Sequence, residues 1–135
     1  MMTVHEIVRQ TGVTPNAVRY YTRIGLLLPQ RNSSNGYRMF SVADIKRLRF
    51  ILRAKHLGFT LTEIRQIFSD AEQACSPCPA VRDILERRIR ENKKTIDELT
   101  LLQQRMEQAQ RQWEKIPDGL PDGKTVCPLI EQLGA

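Results

Sequence analysis

Apolar residues recur along this chain in two rhythms. Over residues 1–70 they come in short groups at steps of three and four, each bounded by a capping or turn signal. From residue 85 to 113 they run as one unbroken seam. The short groups predict short helices. Thr3-Val-His-Glu6 reads as a capping box ahead of Ile7 and Val8, and Thr11-Gly12-Val13 closes that helix in a tight turn. Thr14-Pro15 restarts a helix, which "TPNAVRYYTRIGLL" carries as far as a terminal glycine at Gly25. Two short helices joined by a glycine-containing turn form a helix-turn-helix pattern, which other small helical pairs share.

The next stretch changes character. Pro29 stops a helix, and Asn35-Gly36 signals a tight hairpin turn, so residues 27–31 and 37–40 are expected to pair as two short strands. As a wing they would hold Arg31 and Arg38 beside a bound duplex; alone they would read as a surface loop. Ser41-Val-Ala-Asp44 opens a further helix whose stripe is Ile45, Leu48, Ile51 and Leu52, ending at Gly58. Thr60-Leu-Thr-Glu63 is a second capping box, with Leu61, Ile64, Ile67 and Phe68 facing inward. Lys46, Arg47, Arg49, Arg53 and Lys55 are expected on the solvent side.

No Pro or Gly interrupts residues 80–113. Leu85, Ile89, Asn92, Ile96, Leu99, Leu102 and Met106 form the seam, which continues to Ala109 and Trp113. A helix of roughly 50 Å cannot bury such a stripe against itself, and no other segment is long enough to cover it. A second copy of the chain is the economical partner. Beyond it, Pro117-Asp-Gly and Pro121-Asp-Gly mark a compact loop that returns to Cys127-Pro128 and a short apolar tail.

Charge sharpens this picture. Residues 1–70 hold eleven Lys and Arg against four Asp and Glu, and residues 71–135 hold ten against eleven. The positive excess lies wholly in the first half, and nine of its eleven cations are arginine, which suits bidentate phosphate contacts. No acid–base pair, nucleophile–histidine pairing or phosphate loop appears, so an enzyme is not expected. The first residues carry no basic-then-apolar leader and no run is long enough to span a membrane, so a cytoplasmic protein is expected. Three cysteines, Cys75, Cys78 and Cys127, pose a free-thiol or metal question rather than a disulfide framework. Cys75 and Cys78 form a Cys–x–x–Cys half-site, with Pro77 between them and Pro79 starting the long helix.

The order of parts, and above all "VRYYTRIGLLLPQRNSSNGYRMFS" with its Arg-Tyr-Tyr, Gly-Leu-Leu, Pro-x-Arg and Gly-Tyr-Arg elements, resembles the MerR family of transcription regulators. The ending "CPLIEQL" is similar to the tail of its metal-sensing branch. The resemblance implies a mainly α fold: a winged helix-turn-helix region with two accessory helices over 1–70, a dimerisation helix over 79–115 forming an antiparallel coiled coil, and a metal-binding loop and apolar tail over 116–135. It places Thr14, Asn16, Arg19, Tyr20 and Arg23 on the DNA-reading side, and Tyr21, Arg31, Tyr37 and Arg38 where the backbone is gripped, with one of Tyr20 and Tyr21 turned inward. It implies a dimer on a dyad operator within a long-spacer promoter. There the effector makes the protein distort double-stranded DNA so that RNA polymerase engages.

For the effector, the resemblance puts Cys78 where sensors of divalent metals keep a cysteine and sensors of monovalent ions a serine. Zinc, cadmium, mercury or lead is thereby implied. Cys127 matches the second cysteine of the metal loop, but where the first should stand the chain has Trp113. Cys75 is the expected replacement, giving three thiolates, with Cys127 coming from the other chain. The alternatives are Cys75 as a bystander, Cys127 as a structural thiol, a redox switch through a Cys75–Cys78 disulfide, and an organic-ligand sensor, for which the residues after Trp113 leave little room.

Overall fold

The computed structural model describes residues 1–134, with element order α1 (Val4–Thr11), α2 (Pro15–Arg23), β1 (Gln30–Arg31), β2 (Arg38–Met39), α3 (Val42–His56), α4 (Leu61–Glu72), α5 (Cys78–Trp113) and α6 (Pro128–Glu131). It divides into two compact units, Met1–Glu86 and the residues from Arg87 onward. Among the described residues no helix is long and apolar enough to cross a membrane.

In the first unit, local chemistry sets each helix start. Ser41 with Asp44, and Thr60 with Glu63, form complete capping boxes at α3 and α4. The box expected at α1 is only half made. The Thr3 hydroxyl accepts from the Glu6 amide at 3.3 Å, but the Glu6 carboxylate accepts from that hydroxyl and not from the Thr3 amide. Residues next to this cap are drawn into the wing instead, because Met2 exchanges two 2.7 Å backbone hydrogen bonds with Phe40.

Three helix ends share one geometry. The amides of Leu26, Phe59 and Cys75 return to the carbonyls of Tyr21, Ala54 and Asp70 at 2.9–3.0 Å, each after a residue of positive φ. At α2 and α3 that residue is Gly25 (φ 85°) and Gly58 (φ 86°); at α4 it is Ala74 (φ 58°). Only alanine there carries a Cβ in the left-handed region, a local strain of about 1–2 kcal/mol immediately before Cys75.

The wing pairs antiparallel, Gln30 with Met39 and Arg31 with Arg38. The strands are shorter than expected, and Asn35-Gly36 does not make a two-residue turn. The loop spans residues 32–37, closed by Asn32 N–H to the Tyr37 carbonyl and Gly36 N–H to the Asn32 carbonyl, both 2.8 Å. The Asn32 and Asn35 side chains accept from Ser34 and Tyr37 amides within it. Side-chain acceptors that mimic backbone allow a wider loop.

The core gathers Ile7 from α1, Val18 and Tyr21 from α2, Leu26, Leu27 and Phe40 flanking the wing, Ile45, Leu48 and Ile51 from α3, and Ile64 and Ile67 from α4. Val81, Ile84 and Leu85, on the first turns of α5, pack against it. Leu85, expected in the seam, is therefore at least partly a packing residue of the first unit. Asp44 is buried, and its carboxylate accepts from the Leu28 amide (3.0 Å) and the Ser41 amide (2.9 Å), tying the approach to the wing onto α3. Arg47 does not lie on a solvent face as expected. It is half-buried, its Nε donates to the Leu26 carbonyl at 2.8 Å, and its guanidinium lies 4.1 Å from the Phe68 ring centre. Lys46, Arg49, Arg53 and Lys55 are exposed as expected.

The second unit has no comparable interior. No residue of α5 is buried; Ile89, Ile96, Leu99, Leu102 and Met106 are all exposed, as is Asn92. They recur in a heptad frame, with Ile89 and Ile96 at a and Asn92, Leu99 and Met106 at d. After Trp113, residues 114–127 form the loop that returns to α6.

Candidate nucleic-acid interface and cysteine sites

The helix-turn-helix and wing enclose a concave groove of about 630 Å³, lined by Thr3, Val4, His5, Arg19, Arg31, Gly36, Tyr37 and Arg38. Each arginine is placed by its element. Arg19 projects from the exposed side of α2, opposite the buried Val18 and Tyr21. Arg31 and Arg38 are direct partners across the two-stranded ladder, and Arg31 donates to the Gly36 carbonyl at 3.3 Å. Like charges held opposite one another in a ladder repel. Among the described residues no carboxylate lines the groove or pairs with Arg19, Arg31 or Arg38. Three guanidiniums thus stand beside one exposed tyrosine with no carboxylate to balance them, an arrangement that a phosphate backbone neutralises.

Of the expected contacts, the groove brings together Arg19, Arg31, Tyr37 and Arg38. Thr14, Asn16, Tyr20 and Arg23 lie outside its lining but on the exposed parts of α2 and its cap. The Thr14 hydroxyl is occupied in capping, accepting from Ala17 at 3.2 Å. Arg23 sits over the Tyr20 ring, 5.3 Å from its centre, and the Asn16 side chain accepts from Arg19. Tyr20 is 40% exposed and Tyr21 6%, so one faces out and the other in. Tyr21 falls three positions after Val18 on the inward stripe, which makes it a core side chain first. Thr3, Val4 and His5 were not anticipated. Nothing in their spacing marks them; the Met2–Phe40 bridge brings the start of α1 to the wing.

All three cysteines are free thiols. Cys75 and Cys78 are exposed and bracket the α4–α5 turn. Cys75 donates its amide to Asp70, and Cys78, the first residue of α5, donates its amide to the Ser76 hydroxyl at 3.4 Å. Pro77 fills the cap position without a side-chain acceptor, its carbonyl receiving the Val81 amide at 3.0 Å. Cys127 belongs to the second unit, half-buried ahead of α6. Among the described residues no three His, Cys, Asp or Glu side chains lie together as a metal-ligand group.

Residues 2–71 match the MerR HTH family regulatory proteins, and residues 45–109 match the family described as MerR, DNA binding. The chain belongs to the MerR family. It is 33% identical to the HTH-type transcriptional regulator HmrR of Rhizobium leguminosarum bv. viciae, over 98% of this chain and 97% of that one. It is 30% identical to the mercuric resistance operon regulatory protein of Bacillus cereus, over 96% and 95%. The crystal structure of the transcription regulator PbrR691 from Ralstonia metallidurans CH34 in complex with lead(II) shares the fold, with a TM-score of 0.75 at 24% identity, covering 99% of this chain and all of that one. This MerR-family chain is therefore a DNA-binding transcription regulator and not an enzyme.

Proposed function

We propose that this MerR-family regulator works in the cytoplasm as a homodimer. In this reading it binds a dyad operator in a long-spacer promoter and activates RNA polymerase by distorting the DNA when a thiophilic divalent metal ion is bound. The observation that carries the reading is where the thiols lie along α5. Cys75 and Cys78 stand at its start, and Cys127 follows its end. A 36-residue helix is roughly 54 Å long, in keeping with there being no three-ligand group among the described residues. Antiparallel pairing of two α5 helices through Ile89, Ile96, Leu99, Leu102 and Met106 would bring the start of one helix beside the end of the other. Cys75 and Cys78 would then meet Cys127 of the partner subunit.

Three thiols with no histidine among them suit a soft or borderline dication: zinc, cadmium, mercury or lead. When bound, the ion supplies a cross-link between thiolates. The protein's part is to hold the thiols and to transmit a change of dimer geometry to the two grooves. On DNA, Arg19, Arg31, Tyr37 and Arg38 grip phosphates, and the exposed face of α2 with Asn16, Tyr20 and Arg23 reads the groove. The relative in Bacillus cereus, named for mercuric resistance, supports a metal as effector.

Anaerobic thiol titration combined with metal analysis tests the site. The metal-loaded dimer should hide all three thiols of each chain; three reactive thiols per chain alongside bound metal would sink the assignment. Cys127→Ser should abolish metal-dependent run-off transcription from a long-spacer promoter, whereas a Cys75–Cys78 disulfide switch would keep its response.

A further inference from the structure

We infer that Trp113 and Glu131 are positioning residues that hold the Cys127 loop closed before any ion arrives, so that an indole N–H stands in for a second loop thiol. The inference rests on the proposed function only for what Cys127 binds. Closure itself is carried by contacts within the second unit.

Trp113, the last residue of α5, is half-buried, and its Nε1–H donates to the Leu129 carbonyl at 2.9 Å. That bond joins the two ends of the loop across sixteen positions. Glu131 works on the returning leg: one carboxylate oxygen accepts from the amides of Val126 (2.6 Å) and Cys127 (3.2 Å). The legs also touch. A Cβ on Gly119 would lie 2.4 Å from Cγ of Pro128, so only a residue without one fits against that ring. The chain end follows, with Leu133 lining a small cavity beside Arg105, Ala109 and Gln112 of α5. In the heptad frame Arg105 and Gln112 are at c, off the a and d seam, while Ala109 shares with Leu102 the g position at its edge.

Cys127 is thus set half-buried in a backbone whose neighbouring amides are already engaged. Its loop-ordering entropy is met in folding and not in binding, which raises the affinity of whatever the thiol takes up. Trp113 also makes the state observable, because it is the only tryptophan in the chain.

The test uses the metal-free full-length dimer. Its Trp113 emission should be blue-shifted and poorly quenched by acrylamide. Gly119→Val and Glu131→Ala should each shift it to the red. Glu131→Ala should also speed hydrogen exchange at the Val126 and Cys127 amides roughly fivefold, the factor one net hydrogen bond is worth. Glu131→Gln keeps an acceptor oxygen and should behave as wild type, a rescue that general destabilisation would not give. Solvent-exposed emission that turns blue only on adding cadmium would overturn the inference and leave the metal assignment standing. Closed emission with no cadmium bound at any concentration would overturn the metal assignment and leave the latch.

Discussion

Residues 1–86 enclose Ile7, Leu48, Ile51 and Ile64 completely, whereas α5 beyond Glu86 leaves Ile89, Ile96, Leu99 and Met106 more than half exposed. Both regions are helical and carry apolar stripes at the same spacing, so the difference is not one of pattern. In the first region several short helices lie against one another, and each stripe meets another from the same chain. In the second, apart from the short α6 and the tail at its end, no described helix covers the stripe of α5. A heptad seam left bare in one chain is what the proposed pairing with a second copy would cover.

The sharpest way to break this comparison is to place charge in the seam. If the proposed dimer forms through this seam, Ile96→Glu should dissociate it, at a cost on the order of 3–5 kcal/mol for each of two copies, while leaving the unfolding of the first unit unchanged. Sedimentation together with calorimetry reads both. An unaltered dimer would mean that another face carries association. The converse substitution, Leu48→Ala, should cost the first unit about 2–5 kcal/mol and leave α5 association intact. A smaller change runs the other way. Ala74→Gly relieves the positive φ at the end of α4, less the greater freedom of glycine in the unfolded chain, for a net gain of about 0.5–1 kcal/mol in thermal unfolding.

The smallest effect belongs to the tail. The Lys124 and Thr125 amides donate to Asp122 at 3.0 and 2.8 Å and hold its carboxyl below the ordinary value of 3.8. A lowered value means that the turn is fully supported above the ordinary carboxylate range and loses that support as pH falls through the lowered one. Amide shifts of Lys124 and Thr125 followed into acid should move together, with the first unit silent.

Much of the fold was legible because its signals are local. Thr14-Pro15, Ser41 to Asp44 and Thr60 to Glu63 cap where expected, since a cap needs only residues within one turn. Gly25 and Gly58 likewise mark helix ends by their own conformational freedom. The half-made cap at Thr3, the wide wing loop and the structural use of Arg47 were not legible. Each depends on a partner distant in sequence: Phe40 for Met2, and Leu26 with Phe68 for Arg47. At the candidate sites, residue type and spacing drew attention to Arg31, Arg38 and the three cysteines, and the family resemblance to Arg19 and Tyr37; the structure gathers the three arginines and Tyr37 around one groove. His5 and Thr3 join the groove only through the bridge at the wing.

Sequence alone determined which segments are helical, where positive charge concentrates, that α5 cannot cover its own stripe, and that the end of α5 presents tryptophan where a thiol was expected. Those properties follow from side-chain type and spacing, which need no knowledge of distant neighbours. Tertiary structure decided what that tryptophan does. The indole N–H finds the Leu129 carbonyl only because the loop turns back on itself, and Glu131 reaches the Cys127 amide only because α6 begins there. Hydrogen bonds between residues far apart in sequence are fixed by where the chain returns, and that is set by packing.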